Sequence, residues 1–367
     1  MTPIVALPRT VLVTGATGLI GGGVVERLLR IDRELHIHAL VRTAAGAAAL
    51  LARCGADAVR ISPVLGDITL PGLGIERGAC ARLARGVRAV VHAAADTTFS
   101  RALVDARAVN TAGTGNLLEL ANDWEVERFV HVSTAFVAGA HVGTIPEPQL
   151  SAEAGFVNAY EQSKYEAEQL VRASGVPYVV VRPSTIICDD VDGVVTQFNA
   201  AHRALRVIHA GLAALMPGAA DTPLDLVTAA HVIEGTVALG FSGASGGSYH
   251  LCAGAGAITL EELLDTAHGI WSRNDGWRRR GILPPLLTDM ETYRLFEHSI
   301  EQTGDIRLTT ITRSLSHFVP QLALPKRFDT TLADVALGRA AAPVRSFLGR
   351  VVEHLEATRW GADRSAA

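Results

Sequence analysis

Eight residues, Thr14-Gly15-Ala16-Thr17-Gly18-Leu19-Ile20-Gly21, constrain the fold of this chain more than any others. They lie between a β-branched apolar run, Val11-Leu12-Val13, and a helix-like segment from Val24 to Arg30. Glycines at 15, 18 and 21 let the chain turn tightly, let the backbone approach a pyrophosphate, and let the helix pack close to its strand. The helix N-terminus then presents free N–H groups to an anion. Thr14, Gly15, Thr17, Gly18, Leu19, Ile20 and Gly21 are therefore candidate cofactor-binding residues, although a turn of this kind taken alone also suits a plain strand-to-helix loop.

The rest of the chain repeats the strand-to-helix rhythm. Apolar, β-rich runs near 10–14, 35–41, 59–65, 88–94, 127–133 and 177–182 alternate with helical patterns near 20–31, 44–54, 76–85, 101–122 and 158–174. Ala89-Val90-Val91 and Val179-Val180-Val181 are continuously apolar, as central strands covered on both faces require. The expectation is an α/β fold with a doubly wound, parallel Rossmann sheet over 1–184, rejoined by later segments near 225–255. Residues 185–367 are expected to form mainly a smaller, mostly helical substrate cap. Within it, 248–252 reads as a strand, 259–271, 288–303 and 343–358 read as helices, and 359–367 reads as a frayed tail.

Bulk properties narrow the function. A formal net charge of −4 over 367 residues gives no basic field for nucleic acid. Cys54, Cys80, Cys188 and Cys252 are widely spaced, which fits buried thiols in a reducing compartment better than a zinc motif or a disulfide framework. No leader pattern and no uncharged apolar run of spanning length is visible, so a cytoplasmic protein without a transmembrane segment is expected. His36 with His38, and the acidic loop Asp189, Asp190 and Asp192, read as ordinary side chains, and no metal is assigned. Arg278-Arg279-Arg280 beside Trp271 and Trp277 suits a ligand phosphate or an acidic partner protein, with a run that carries no function as the alternative.

Tyr160 and Lys164 are four residues apart and project from one helix face. An ammonium beside a phenol favours phenolate, so Lys164 is expected to lower the Tyr160 pKa and make its hydroxyl a general acid toward a carbonyl oxygen receiving hydride. The lysine is also suited to hold a ribose. The strand Phe129-Val130-His131-Val132 ends in Ser133-Thr134, which places two hydroxyls at the carboxyl edge of the sheet. Thr134 is preferred over Ser133 for the substrate carbonyl, with strand capping as the alternative for either.

These stretches, with Gly66-Asp67-Ile68, His92-Ala93-Ala94-Ala95, the segment Val109-Asn110-Thr111-Ala112-Gly113-Thr114-Gly115-Asn116 and Arg182-Pro183-Ser184, resemble the extended short-chain dehydrogenase/reductase family over roughly 9–255. The resemblance implies that Asp67 contacts the adenine, that Ala93 and Ala94 line the cofactor path, that Asn110 supports the site, and that Ile68, Ser133 and Pro183 are among the cofactor-binding residues. It implies Thr134, Tyr160 and Lys164 as the catalytic set, with Tyr160 and Lys164 also touching the cofactor, and a homodimer through helices of the nucleotide domain.

Where an NAD enzyme usually places an acidic residue, at the end of the second strand, stands Arg42. A guanidinium there suits a 2′-phosphate, so NADPH is the expected cofactor; an exposed arginine with no such task is the alternative. Finer detail in 131–137, 160–168 and 182–186 most resembles the acyl-thioester reductase and fatty acyl reductase branch. Pro223-Leu224-Asp225-Leu226-Val227 and Pro325-Lys326-Arg327-Phe328-Asp329 are similar to its cap and C-terminal segments. The expectation is reduction of an acyl thioester, held on coenzyme A or a carrier protein, to an aldehyde or alcohol. Nucleotide-sugar epimerases or dehydratases, hydroxysteroid-type dehydrogenases and a non-catalytic dinucleotide sensor are the alternatives. The mostly apolar 211–219 reads as an acyl-pocket lining, core packing or a subunit contact.

Overall fold

The structure, a computed structural model, describes residues 7–148, 150–242 and 245–364. Seven strands form one parallel sheet: β1 (Thr10–Thr14), β2 (His36–Val41), β3 (Ile61–Leu65), β4 (Ala89–His92), β5 (Arg128–Val132), β6 (Tyr178–Pro183) and β7 (Gly247–Leu251). Their spatial order is β7-β6-β5-β4-β1-β2-β3. It reverses direction between β1 and β4, the switch point at which open α/β sheets bind ligands beyond the strand carboxyl ends.

Alternating side chains on these strands feed two separate cores. On one face Val11, Val13, Ile37 and Val91 meet α1 (Leu19–Ile31), α2 (Ala44–Cys54) and a later helix. On the other, Leu12, Val90, Phe129 and Val180 meet α3 (Arg77–Gly86) and the helices between β4 and β6. The expected single helix over 101–122 is α4 (Leu103–Arg107), one π turn (Ala108–Ala112) and α5 (Gly113–Asp123). Such π turns recur at functional sites, because they re-aim a side chain without ending the helix. α6 (Ala159–Ala173) starts on Asn158, whose side chain caps the Glu161 N–H.

The region after β6 shares a hydrophobic core with Val179 and Val181 of β6 and Leu251 of the edge strand β7. It contains α7 (Ala200–His209), α8 (Ala229–Gly240), α9 (Leu260–Trp271), α10 (Met290–Gln302), α11 (Ile306–Leu315) and α12 (Leu348–Ala357). Of these, α8 returns to the sheet and packs on α1. Several strands of two to four residues, too short to read in sequence, join segments distant in the chain. Among them Lys326–Phe328 pairs with Gly143–Ile145, and Leu286–Thr288 with Leu215–Pro217. The expected frayed tail is instead a 3₁₀ segment from Arg359 to Arg364, because Trp360 finds an aromatic pocket against His209 and Trp271. Positions 365–367 of that expectation lie outside the described residues.

Fully buried histidines tie this fold to pH. Burial, helped by the Lys164 charge, pulls His92 down to about 3, and burial with Arg182 pulls His250 down to about 4. Burial, Lys164 and His92 hold His131 well below its ordinary value. Each folded pKa lies below the unfolded one, so the stability these residues contribute is present above about pH 6.5 and lost as pH falls toward the folded values. Urea unfolding between pH 7.5 and 5 should show stability falling by about 1.4 kcal/mol per pH unit for each buried histidine below its free pKa. A flat profile across that range would mean that these imidazoles are charged or exposed in the native state.

Candidate active site

The glycine turn leaves no room for side chains. Gly15 has φ +68°, and a Cβ there would stand 2.6 Å from the Ala93 carbonyl carbon and the Ala94 nitrogen. A Cβ on Gly21 would fall 2.2 Å from the Gly15 oxygen. The Gly18 N–H donates to the Gly15 carbonyl at 2.9 Å, and Gly18 begins α1 with no side chain capping the first turn and no acidic residue in it. A bare backbone cradle on open helical N–H groups fits a pyrophosphate. Thr17 and Gly18 are exposed at its rim, while Leu19 and Ile20 are half-buried. Arg42 stands exposed just beyond β2. Asp67, beyond β3, accepts from the Thr69 N–H and hydroxyl at 2.9 and 2.8 Å, and Ile68 is buried under Gly113.

Behind this cradle runs a row of buried polar side chains. Thr14, His92 and His131 are register partners on adjacent strands β1, β4 and β5. Thr14 Oγ1 accepts from the Ala94 N–H at 3.2 Å and meets His92 Nδ1 at 2.7 Å. His92 Nε2 lies 2.9 Å from Thr114 Oγ1, which donates to the Asn110 carbonyl at 2.6 Å. The partners assign the proton to Nε2: Thr14 donates to Nδ1, Nε2–H donates to Thr114, and the neutral ring is satisfied at both nitrogens. Asn110, buried in the π turn, continues the network. Its Oδ1 accepts the Asp96 N–H at 2.8 Å and its Nδ2 donates to the Asp96 carbonyl and to Ser163 Oγ, each at 3.0 Å. Ser163 Oγ in turn donates to the Tyr160 carbonyl at 3.0 Å.

The catalytic candidates converge where this network ends. Tyr160 and Lys164 share the buried face of α6, and Thr134, two residues beyond β5 and capping the 3₁₀ turn Ala135–Ala138, sets its hydroxyl beside the Tyr160 phenol. Thr134 also lies 3.5 Å from the Pro183 carbonyl at the end of β6. Lys164 Nζ donates to the Val132 carbonyl at 2.9 Å and to His131 Nε2 at 3.2 Å, which leaves one ammonium proton for a further acceptor. Burial lowers Lys164 to about 8, against the opposing charge of Glu168.

The expected lowering of the tyrosine pKa is corrected by this geometry. Burial pushes Tyr160 up to about 12, the Thr134 hydrogen bond opposes it, and Glu161 reinforces it. The Lys164 ammonium is committed to Val132 and His131, so the resting phenol stays protonated. Ser133 also differs in placement from Thr134, since its hydroxyl faces Glu168.

Two buried clamps hold α6 in place. Arg182 on β6 grips Glu168 through two parallel hydrogen bonds of 2.9 and 2.7 Å, with both side chains 1% exposed. Burial works to raise Glu168, and Arg182, Ser133 and Arg172 outweigh it, leaving the carboxylate ionised. At the start of α6, Glu161 accepts from Asn158 Nδ2, the Val157 N–H and Gln321 Nε2, and Lys326 Nζ donates to Gln321 Oε1 at 2.6 Å. This second clamp ties the cap segment around 321–326 to the residue next to Tyr160. Burial raises the Glu161 carboxyl and lowers the Lys326 ammonium.

An apolar cavity of about 820 Å³, including its open mouth, adjoins the site. Phe136 and Phe318 line its wall and flank Phe99, whose ring stacks on Tyr160 at 5.4 Å. Leu205, Ile208, Met216 and Leu260 form its depth, with Lys326 and Asp225 as polar members. Asp225 is held by Ser184 Oγ and by the Ala253 and Gly254 N–H groups at 2.7 and 2.9 Å.

Sequence reasoning had no role for His92, His131, Phe99, Glu161 or Gln321. A polar residue at the carboxyl end of an otherwise apolar central strand is the signal that marks the two histidines. The acidic loop closes on itself: Asp189 holds Thr196, Asp190 holds the Val191 N–H, and Asp192 holds the Val194 N–H. Among the described residues no group of three or more histidines, cysteines or carboxylates is placed to hold a metal ion, and the four cysteines are free. No described helix is long and apolar enough to cross a membrane.

Comparison with known proteins adds to this geometry. A solved terminal R domain from the myxalamid PKS-NRPS biosynthetic pathway superposes with a TM-score of 0.81 at 25% identity, covering 98% of this chain and 93% of that one. The R domain of a nonribosomal peptide synthetase from Mycobacterium tuberculosis shares the fold, with a TM-score of 0.67 at 23% identity over 96% of this chain and 93% of that one. Among sequences, a hybrid PKS-NRPS synthetase (gkaA) of Penicillium citrinum is 33% identical over 189 residues, 49% of this chain and 5% of that protein. The fatty acyl-CoA reductase wat of Drosophila melanogaster is 29% identical over 222 residues, 49% of this chain and 43% of that protein. The chain thus spans less than half the length of either relative. These similarities are to R domains and to a fatty acyl-CoA reductase of the extended short-chain dehydrogenase/reductase type, and the model of the NAD-binding family described as male sterility protein matches residues 13–236, so the chain belongs to that family.

Proposed function

We propose that this protein reduces an acyl thioester, presented on coenzyme A or a carrier protein, to the aldehyde, with NADPH as the electron donor. The observation that carries this reading is that Tyr160, with the Thr134 hydroxyl beside it, stacks on Phe99, which in turn meets Phe136 and Phe318 on the wall of a largely apolar cavity. Bound along the glycine cradle, the nicotinamide cofactor supplies a hydride to the thioester carbonyl carbon. Thr134 and Tyr160 donate hydrogen bonds to the carbonyl oxygen, where negative charge develops, and Tyr160 then gives up its proton to that oxygen. A protonated resting phenol suits the task. Lys164 holds the cofactor ribose with its remaining proton and sets the field at Tyr160 as the phenolate forms. The resulting hemithioacetal collapses: its C–S bond breaks, the hydroxyl proton passes to sulfur, and aldehyde and thiol leave. A second equivalent of NADPH, with Tyr160 reprotonated from solvent and again donating to the carbonyl oxygen, would give the alcohol.

Two features support the cofactor and substrate choices. Arg42 is exposed beyond β2, free to form paired hydrogen bonds with a 2′-phosphate. The cavity walls are mainly aliphatic and aromatic, with Lys326 the single cationic side chain among the described residues that line them, whereas a nucleotide sugar would need several polar partners for a second pyrophosphate.

Purified protein should oxidise NADPH with acyl-pantetheine or acyl-coenzyme A thioesters. Tyr160→Phe should cut turnover by about 10²- to 10⁴-fold while cofactor affinity, read by fluorescence titration, is retained. Turnover of nucleotide sugars or ketosteroids with none of thioesters would overturn the substrate assignment. Arg42→Ala should weaken NADPH binding by about 10- to 100-fold and leave NADH binding unchanged, the loss of a charged hydrogen-bonded pair. Equal effects on both cofactors would rule out 2′-phosphate recognition by Arg42.

A further inference from the structure

Next to the cavity beside Tyr160 lies a second, smaller and tighter apolar pocket, roofed by the α10–α11 hairpin through Tyr293, Phe296 and Leu315. The two share three wall residues, Ala204 and Ile208 from α7 and Met216 from the strand Leu215–Pro217. Ala204 and Ile208 are one helical turn apart, so they form a single ridge, while Leu205 lines only the front space and Val207 only the rear. One layer of side chains therefore divides two empty apolar spaces. The weakest part of that layer is Ala204, which contributes a lone methyl group, and Met216, whose unbranched thioether chain changes rotamer readily. The roof is lightly held: of the thirteen residues of α10, only Tyr293 and Ile300 are buried. The rear space is lined mainly by apolar side chains, with Tyr293 and Thr312 as its hydroxyl-bearing members, and a mainly apolar lining favours hydrocarbon over water.

We propose that Ala204, Ile208 and Met216 set the length of acyl chain this protein accepts, with the rear cavity taking the end of chains long enough to displace Met216. The inference rests on the thioester reading of the Tyr160 site. A straight chain whose carbonyl sits between Thr134 and Tyr160 runs past Phe136 and Phe318 into the front cavity and meets the α7 ridge end-on. Up to the ridge, each methylene leaves water for carbon. Beyond it, further methylenes gain nothing until Met216 swings aside and the two spaces become one.

The test uses the full chain with two probe series, butyryl through octadecanoyl pantetheine thioesters for turnover and the matching alkyl pantetheine thioethers, which cannot be reduced, for binding. Thioether affinity should rise by about fourfold per methylene and then stop rising at a defined length. Met216→Ala should move that length to longer chains and Ala204→Phe to shorter ones, with cofactor affinity reporting that each variant is folded. Ile208→Val, which removes one methyl group, gives a smaller shift in the Met216→Ala direction should the larger truncation fail to fold. Affinity independent of chain length, or a break point unmoved in folded variants, would overturn the proposal even if thioesters are reduced. Break points that move as described without turnover of any thioester would uphold the wall and defeat the reductase reading.

Discussion

The site depends on one row of polar side chains buried at the carboxyl edge of an otherwise apolar sheet. Thr14, His92 and His131 stand side by side on β1, β4 and β5, where hydrophobic burial alone would place valine or isoleucine. An unpaired polar group there would cost about 1–3 kcal/mol. His92 avoids that cost by being neutral and bonded at both nitrogens, whereas His131 receives the Lys164 ammonium at Nε2 and leaves its buried Nδ1 without a partner. The bonds run from the last residue before the glycine turn, through the π turn at Asn110, to the backbone of Tyr160. The glycine turn and Tyr160 thus belong to one hydrogen-bonded unit, held in place by the sheet.

Electrostatics at Tyr160 follow from the same burial. A phenol kept protonated by desolvation is a poor nucleophile and a ready hydrogen-bond donor, and it becomes a stronger acid only as negative charge appears on a bound oxygen. Lys164 is positioned by backbone and imidazole rather than by the phenol, so its influence on Tyr160 is through space and through the ribose it is suited to hold. The Arg182–Glu168 pair stabilises the far end of the same helix face and, being fully buried, would cost about 3–5 kcal/mol to break by removing one partner. Gln321 and Lys326 make the near end of that helix sensitive to how the cap is seated.

Much of this was legible in the sequence, for physical reasons. The parallel sheet announced itself through continuous apolar runs, and the cradle through glycines where no Cβ fits. Tyr160, Lys164 and Thr134 converge because helix periodicity and strand ends obey short-range geometry. The buried ionic contacts were not legible, since Glu161 meets Gln321 across 160 positions of chain. Nor was the sign of the Tyr160 shift: spacing placed an ammonium one turn away, while desolvation, a property of the folded surroundings, decided the outcome. Strands of two or three residues such as Lys326–Phe328 carry no periodic pattern and exist only through their partners. Trp360 was read as part of a frayed end because nothing local reveals the aromatic pocket awaiting it.

The most direct measurement of the central claim is isotope transfer from reduced cofactor carrying deuterium at the nicotinamide C4 position, with an acyl-pantetheine thioester as acceptor and mass spectrometry of the products. Transfer in the proposed geometry predicts deuterium on the former thioester carbon, together with one equivalent of free thiol for each thioester consumed. Cofactor oxidised with no label on that carbon, or label carried only by a ketone or sugar acceptor while the thioester stays intact, would contradict it.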